Sequence, residues 1–275
     1  MKKKFSSIEI ENKAKEIRKC VLRMISEAGS GHTGGSLGLA DVMAYLYFKE
    51  MKHDPKNAKS EDRDRLILSI GHVAPVLYAS LAEAGYFEKE ELMSLRKLGS
   101  RLQGHPGRDH GLPGLELSAG SLGQGLSVAV GIALANKIDN RNSRVFCLLG
   151  DGELQEGAIW EAAMSAGHHQ LNNLIGIVDR NNLQIDGSTE KVMKLEPLVD
   201  KWKAFNWEVF ECNGNDILEL ESVFKQIEKN SQKPSIIIAH TLMGKGVKSI
   251  EGDYTWHGKA PSKSELYDFL LELGS

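Results

Sequence analysis

Val145-Phe146-Cys147-Leu148-Leu149 runs into Gly150-Asp151-Gly152, and further along Leu174-Ile175-Gly176-Ile177-Val178 runs into Asp179-Arg180-Asn181-Asn182. Each begins as a short apolar run of the kind that forms a strand covered on both faces. Residues 156–169, between them, read as a helix. The segment is therefore a strand–helix–strand unit, and such a crossover joins parallel strands. Ligands in parallel sheets sit beyond the carboxyl ends of the strands. Asp151 and Asn181 fall at that position. If the two strands are neighbours, their oxygen side chains converge on one point.

The same alternation extends in both directions. Arg65-Leu66-Ile67-Leu68-Ser69, Trp207-Glu208-Val209-Phe210 and Ser235-Ile236-Ile237-Ile238-Ala239 read as further strands. Ile10, Ala14, Ile17, Val21, Met24 and Ile25 recur at helical spacing and mark a helix over residues 8–28. More helices are expected over 39–51, in two pieces over 75–96, over 122–138 and over 218–228. Gly29-Ser30-Gly31-His32-Thr33-Gly34-Gly35 reads as a glycine-rich loop. The expected fold is α/β, a central parallel sheet with helices on both faces. No Pro/Gly/Ser-rich linker, low-complexity tract or internal repeat divides the chain, so residues 1–275 are expected to form a single domain.

Charge and cysteines narrow the possible partners. The 34 Lys and Arg stand against 37 Asp and Glu, a formal net charge of -3, which gives no reason to expect nucleic acid or an anionic membrane. The basic start Met1-Lys2-Lys3-Lys4 leads into no apolar run, so no secretory signal is expected, and no stretch is long and apolar enough to span a membrane. Cys20, Cys147 and Cys212 are odd in number and widely spaced. They read as reduced thiols of a cytoplasmic protein, with Cys147 plain core.

At the two strand ends, glycines let backbone approach a ligand closely. The helix after Gly152 is expected to aim its free N–H groups at the same place, as an anion site. An anion, a carboxylate and an amide oxygen call for a cation between them. Magnesium suits this set, because it is hard, takes six oxygens and draws few from protein. Asp151, Asn181, the Leu183 carbonyl, two diphosphate oxygens and a water would complete its shell. Gly-Asp-Gly alone is an ordinary turn. The pairing with Asn181-Asn182 after the next strand makes it a candidate site.

The run Gly150-Asp151-Gly152-Glu153-Leu154-Gln155-Glu156-Gly157, continued by Asp179-Arg180-Asn181-Asn182-Leu183, resembles the thiamine-diphosphate fingerprint, in the wording of the transketolase family. Ser30-Gly31-His32, Ser69-Ile70-Gly71-His72, Gly104-His105-Pro106, Gly120-Ser121-Leu122-Gly123-Gln124-Gly125 and Trp256-His257-Gly258 agree with it, in order, over nearly the whole chain. The resemblance implies thiamine diphosphate with magnesium, or calcium or manganese in its place. It implies that His72 and Gly152 lie at the diphosphate, and that His32 and His257 lie between cofactor and sugar. His105 would hold the substrate's terminal hydroxyls. The backbone of Gly120 and Ser121 would bind the aminopyrimidine amine, and Leu122 would prop the cofactor into its bent shape. Glu156 has two readings: an acid favoured by a helix dipole, or a member of the family's carboxylate relay between two active sites. Lys245, in Met243-Gly244-Lys245-Gly246, is assigned no contact. His53, His110, His168, His169 and His240 are read as structural or surface residues.

Transketolases carry a second module that grips the aminopyrimidine and supplies the glutamate that activates the cofactor. Nothing here matches it, so the chain is expected to be a whole subunit but only part of an enzyme. The implied partner is a C-terminal transketolase subunit carrying the pyrimidine-binding domain, in an α2β2 assembly acting on sugars or sugar phosphates, as in the pentose phosphate pathway. Two alternatives stand beside this: a related enzyme of the deoxyxylulose-phosphate-synthase kind, and a non-catalytic protein that binds cofactor or regulates. A nucleotide-binding P-loop is not expected, because no Gly-Lys-Ser/Thr follows the glycine-rich turns.

Overall fold

The five runs read as strands pair as one parallel sheet. In the computed structural model, which describes residues 5–229 and 232–274, the strands are β1 (Arg65–Leu68), β2 (Val145–Gly150), β3 (Leu174–Arg180), β6 (Glu208–Asn213) and β7 (Ser235–His240), in spatial order β1-β2-β3-β7-β6. A two-stranded antiparallel hairpin, β4 (Leu183–Gln184) with β5 (Gly187–Ser188), stands apart from the sheet. The basic start at residues 1–4 lies outside the described residues.

Side chains alternate across the sheet, as the pleat requires. Phe146 and Leu148, with Ile175, Ile177 and Ile237, join one buried cluster; Val145, Cys147 and Leu149, with Leu174, Val178, Ile236 and Ile238, join another. Both faces are therefore roofed. On the first lie α1 (Ser7–Ala28), α3 (Ala40–Tyr45), α4 (Ala74–Glu83) and α9 (Ile217–Lys229); on the second, α5 (Gly125–Ile138), α6 (Gly157–His168) and α8 (Leu198–Ala204). The expected α/β architecture is the observed one.

α1 forms where its pattern demands. Ile10, Ala14, Ile17, Val21, Met24 and Ile25 are all fully buried. Ser6 and Glu9 form a reciprocal capping box at its start, and Gly29, at φ 61°, ends it in the left-handed conformation. α9 buries Ile217, Leu220, Val223, Phe224 and Ile227 at the same spacing. Phe146, buried from the sheet side, meets Phe224 with ring centroids 6.2 Å apart.

Several boundaries differ from the sequence expectation. The glycine-rich segment is loop only to His32; Thr33–Gly38 is a short helix, α2. α3 gives way to a π-helical turn over Leu46–Glu50. The second helical piece expected before residue 96 is a 3₁₀ turn, Lys89–Ser94. The turn after Gly152 is also 3₁₀, Gly152–Gln155, and the α-helix begins only at Gly157. The helix expected from residue 122 starts at Gly125, because Gly123 sits at φ 83° and the Gly125 N–H is taken by the Ser69 hydroxyl. α7 (Thr189–Val192), α8, α10 (Lys263–Glu272) and the β4–β5 hairpin carry patterns too short or too mixed to be read beforehand.

Two helical glycines separate propensity from packing. A Cβ on Gly167 in α6 would run into the Phe205 carbonyl, whereas one on Gly131 in α5 would meet nothing within 4 Å. Gly131→Ala should raise stability by about 0.5–1 kcal/mol, the intrinsic helix preference, and Gly167→Ala should lower it by about 2 kcal/mol through overpacking. Urea denaturation of the two variants reads both.

Candidate functional site

β2 and β3 pair in a register that sets Gly150 opposite Asp179, so their carboxyl ends finish together. Asp151 leaves one strand and Asn181 the other. Asp151 is 2% exposed. Its Oδ1 accepts from the Gly152 N–H at 2.7 Å; its Oδ2 accepts from the Asn182 N–H at 2.6 Å and from Arg180 Nη1 at 3.3 Å. Asn181 donates from Nδ2 to Asp179 Oδ2 at 2.9 Å, and its Oδ1 accepts the Leu183 N–H at 2.9 Å. The Thr241 hydroxyl donates to the other oxygen of Asp179. Burial pushes the Asp151 carboxyl up to about 6, against the hydrogen bonds and the guanidinium that favour its charge. Burial, with the charge of Asp151 added, pushes Asp179 up to about 7. Two buried carboxyls thus face each other across the strand ends. Arg180 supplies some positive charge, and its Nη2 is shared with Glu190 and Glu196.

Four of the nine histidines gather beside this point. His32 precedes α2; His72 lies in the 3₁₀ turn after β1; His257 ends the 3₁₀ turn Tyr254–Trp256. Ring centroids are 4.8 Å apart for His32–His72, 5.0 Å for His72–His257, 5.5 Å for His32–His257 and 6.4 Å for His32–His105. Close backbone packing brings them together. A Cβ on Gly34 would lie 2.6 Å from Met243 Cγ and 3.0 Å from the Trp256 carbonyl, and one on Gly38 3.0 Å from the Leu242 carbonyl. α2 therefore lies flush on the segment after β7, held by Gly244 N–H to Gly34 O at 2.9 Å and by Thr33 Oγ1 to Lys259 O at 2.6 Å. Burial, and then neighbouring rings, lowers His32 to about 4 and His72 to about 3; His105 and His257 are lowered by burial as well. All four are neutral at pH 7. Among the described residues, His32 Nδ1 and His257 Nδ1 have no hydrogen-bond partner.

The third wall is the loop before α5. A Cβ on Gly71 would sit 2.7 Å from the Ala119 carbonyl, so this loop lies against the turn that carries His72. A Cβ on Gly120 would meet nothing within 4 Å, which leaves its bare backbone open to a ligand. Gly123 lies against Glu156, whose carboxylate caps no N–H of α6. Glu153, given no role by the sequence, is 2% exposed and ties this loop to the strand ends.

These walls enclose a cavity of about 450 Å³, within the usual range for a small-molecule site. His32, His72, His105, Gly120, Leu122, Asp151, Gly152, Glu156, Asn181, Leu183 and His257 all line it. Ser121 is exposed and is not among the lining residues. His53, His110, His168, His169 and His240 lie elsewhere; His53 hydrogen-bonds the Tyr47 carbonyl and His240 pairs with Glu211. Asp179 and Glu153 stand inside the strand-end runs, yet sequence reasoning gives neither a role. The one signal they offer is a charged residue among positions otherwise fit only for burial.

The residues fit a hard cation with an anionic ligand. Among the described residues, no three His, Cys, Asp or Glu gather as a self-sufficient metal site. One carboxylate, one amide and one backbone carbonyl suit a cation that takes its remaining oxygens from a ligand and water. The two buried carboxyls, with only the shared Arg180 guanidinium beside them, favour added positive charge.

Fold and cleft together define an α/β cofactor-binding enzyme domain, its ligand seated at the carboxyl ends of parallel strands. Residues 10–274 match the family described as transketolase, thiamine diphosphate binding domain. The 6-deoxy-6-sulfo-D-fructose transketolase subunit SqwG of a Clostridium species is 45% identical over 250 residues, covering 91% of this chain and 90% of its own. An apulose-4-phosphate transketolase subunit from Actinobacillus succinogenes is 44% identical over 267 residues, 96% of either chain. The solved transketolase of Campylobacter jejuni superposes with a TM-score of 0.92 at 34% identity; this chain is covered to 98% and spans 43% of that one. The chain belongs to the transketolase family, as its thiamine-diphosphate-binding, N-terminal part.

The histidine cluster gives a direct reading. In a nuclear magnetic resonance titration of the ligand-free protein, the His32 and His72 rings should remain neutral from pH 7 down to pH about 5.5, because both are depressed well below the ordinary histidine value. Protonation of either ring within that window would mean the cluster is wetter than the structure has it.

Proposed function

We propose that the chain works as one thiamine-diphosphate-binding domain, residues 1–275, the N-terminal subunit of a cytoplasmic two-chain transketolase. It moves a two-carbon ketol unit from a ketose, or its phosphate, to an aldose. The observation that carries this reading is the convergence of Asp151, Asn181 and four histidines on one cleft. Relatives that match along nearly their whole length are named as transketolase subunits, which favours this reading over a pyruvate-using enzyme or a non-catalytic binder. Their names, apulose 4-phosphate and 6-deoxy-6-sulfo-D-fructose, extend the candidate sugars beyond those of the pentose phosphate pathway.

Asp151, Asn181 and the Leu183 carbonyl hold magnesium, with calcium or manganese as substitutes. His72 and the Gly152 backbone face the diphosphate. The Gly120 backbone, and that of Ser121 just outside the cleft lining, would face the aminopyrimidine, and Leu122 would support the cofactor from the cleft wall. The cofactor, when bound, supplies the carbon nucleophile that carries the transferred unit. His32 and His257 stand where the sugar's reacting oxygen enters. As neutral imidazoles, each offers one donor and one acceptor, so the pair can hand a proton to that oxygen and take it back. His105, at the rim, holds the terminal hydroxyls. Glu156, free of any capping bond, is placed for the carboxylate relay toward a second site. The partner is the C-terminal transketolase subunit with the pyrimidine-binding domain, joined in an α2β2 assembly, since most soluble assemblies close with symmetry.

The deciding assay uses the purified chain with magnesium, thiamine diphosphate and a ketose–aldose pair. No transfer is expected from the chain alone, and transfer should appear on adding a protein that carries the pyrimidine-binding and C-terminal transketolase domains. Full activity of the chain alone would overturn the two-chain reading. A cofactor-bound but inert mixture would favour a regulatory role.

Two substitutions assign roles within that mixture. Asp151→Ala should weaken metal-dependent cofactor binding by about 100-fold or more in calorimetry, with the circular dichroism spectrum unchanged. His105→Ala should lower kcat/KM by about 10²-fold or more while leaving cofactor affinity within about threefold.

A further inference from the structure

We propose that Glu153 is a positioning residue: its buried carboxylate locks the loop carrying Gly120 and Leu122 to the strand ends carrying Asp151, and so sets the distance between the two halves of the cofactor cleft. Oε1 accepts the Gly123 N–H at 2.8 Å and the Ser69 hydroxyl; Oε2 accepts the Gly150 N–H at 3.1 Å. Ser69 Oγ in turn accepts the Gly125 N–H at 3.0 Å. One side chain thereby joins the end of β1, the loop before α5 and the end of β2. Among the described residues it pairs with no cation.

A buried charge without a counter-ion is a poor way to gain stability, and an apolar residue of similar size would cost less. What the carboxylate provides is acceptor geometry. Three donors from three separate segments meet on two oxygens, and no apolar side chain could specify that meeting. The arrangement also explains Gly125, where a Cβ would lie 2.5 Å from the Ser69 hydroxyl. The turn of 3₁₀ helix over Gly152–Gln155 folds the Glu153 side chain back under Gly150.

The inference rests on reading the cleft as the cofactor site, and the experiment separates the two. Hydrogen exchange of the ligand-free chain is measured for the wild type, Glu153→Ala and Glu153→Gln, together with thiamine diphosphate affinity in the presence of magnesium and the C-terminal subunit. Glu153→Ala should speed exchange at Gly123, Gly125 and Gly150 by about tenfold or more while sheet amides such as Leu148 and Ile177 keep their protection. It should weaken cofactor binding by about tenfold or more. Glu153→Gln keeps one acceptor oxygen for Gly123 and Ser69 and turns an NH2 toward Gly150. It should restore protection at Gly123 and Gly125, leave Gly150 exposed and recover most of the affinity. Uniform loss of protection across the sheet, or no rescue by glutamine, would make Glu153 a general stability residue and overturn the proposal. Local exchange changes with unaltered affinity would overturn it equally. Failure of the wild type to bind the cofactor would strike the functional reading, while the exchange pattern would still decide whether Glu153 holds the loops.

Discussion

The structure depends on the side-by-side pairing of β2 with β3. Each strand is buried on both faces, so neither can shift by one residue without exposing its apolar side chains to the wrong layer. The fixed register sets Gly150 opposite Asp179. The strand-end chemistry of the cleft follows from that alignment: Asp151 and Asn181 leave the sheet at the same level, and the N–H of Asp151 reaches the Asp179 carbonyl at 3.2 Å. A slip would separate the carboxylate from the amide and leave two buried polar groups without partners.

Positions outside the sheet are set by close backbone approach. Gly34 and Gly38 let α2 lie on the segment after β7, and Gly71 lets the His72 turn meet the loop before α5. Buried ion pairs reinforce the frame away from the cleft. Arg18 and Asp41 pair across α1 and α3, and Asn215 donates to Asp41 Oδ2 at 2.8 Å and accepts the Leu242 N–H at 2.8 Å. The histidine that arrives last in the chain is thus braced from the first helix.

The sheet was legible in the sequence because four strands are mostly apolar runs and β6, despite Glu208 and Glu211, continues the strand–helix alternation, and the meeting of Asp151 with Asn181 because strand ends in a parallel sheet converge. The helix boundary at Gly125 was not legible. It depends on the Ser69 hydroxyl, 56 positions away, and on the left-handed Gly123. Glu153 was hidden for the same reason: its Ser69 partner lies 84 positions off. The convergence of His32, His72, His105 and His257 followed from family resemblance alone. No periodicity relates the turns that carry them, and tight glycine contacts leave no pattern in a single sequence.

The contact of Thr33 with the Lys259 carbonyl spans 226 positions and belongs to the same seam that seats His257 beside His32. Contacts of such long span close late, because most of the chain must be ordered before their entropy cost is met. The strand-end pair, by contrast, closes across a single crossover. During synthesis and refolding the strand-end half of the pocket, at Asp151 and Asn181, would take shape first, and the half lined by His32 and His257 only when the final loops dock.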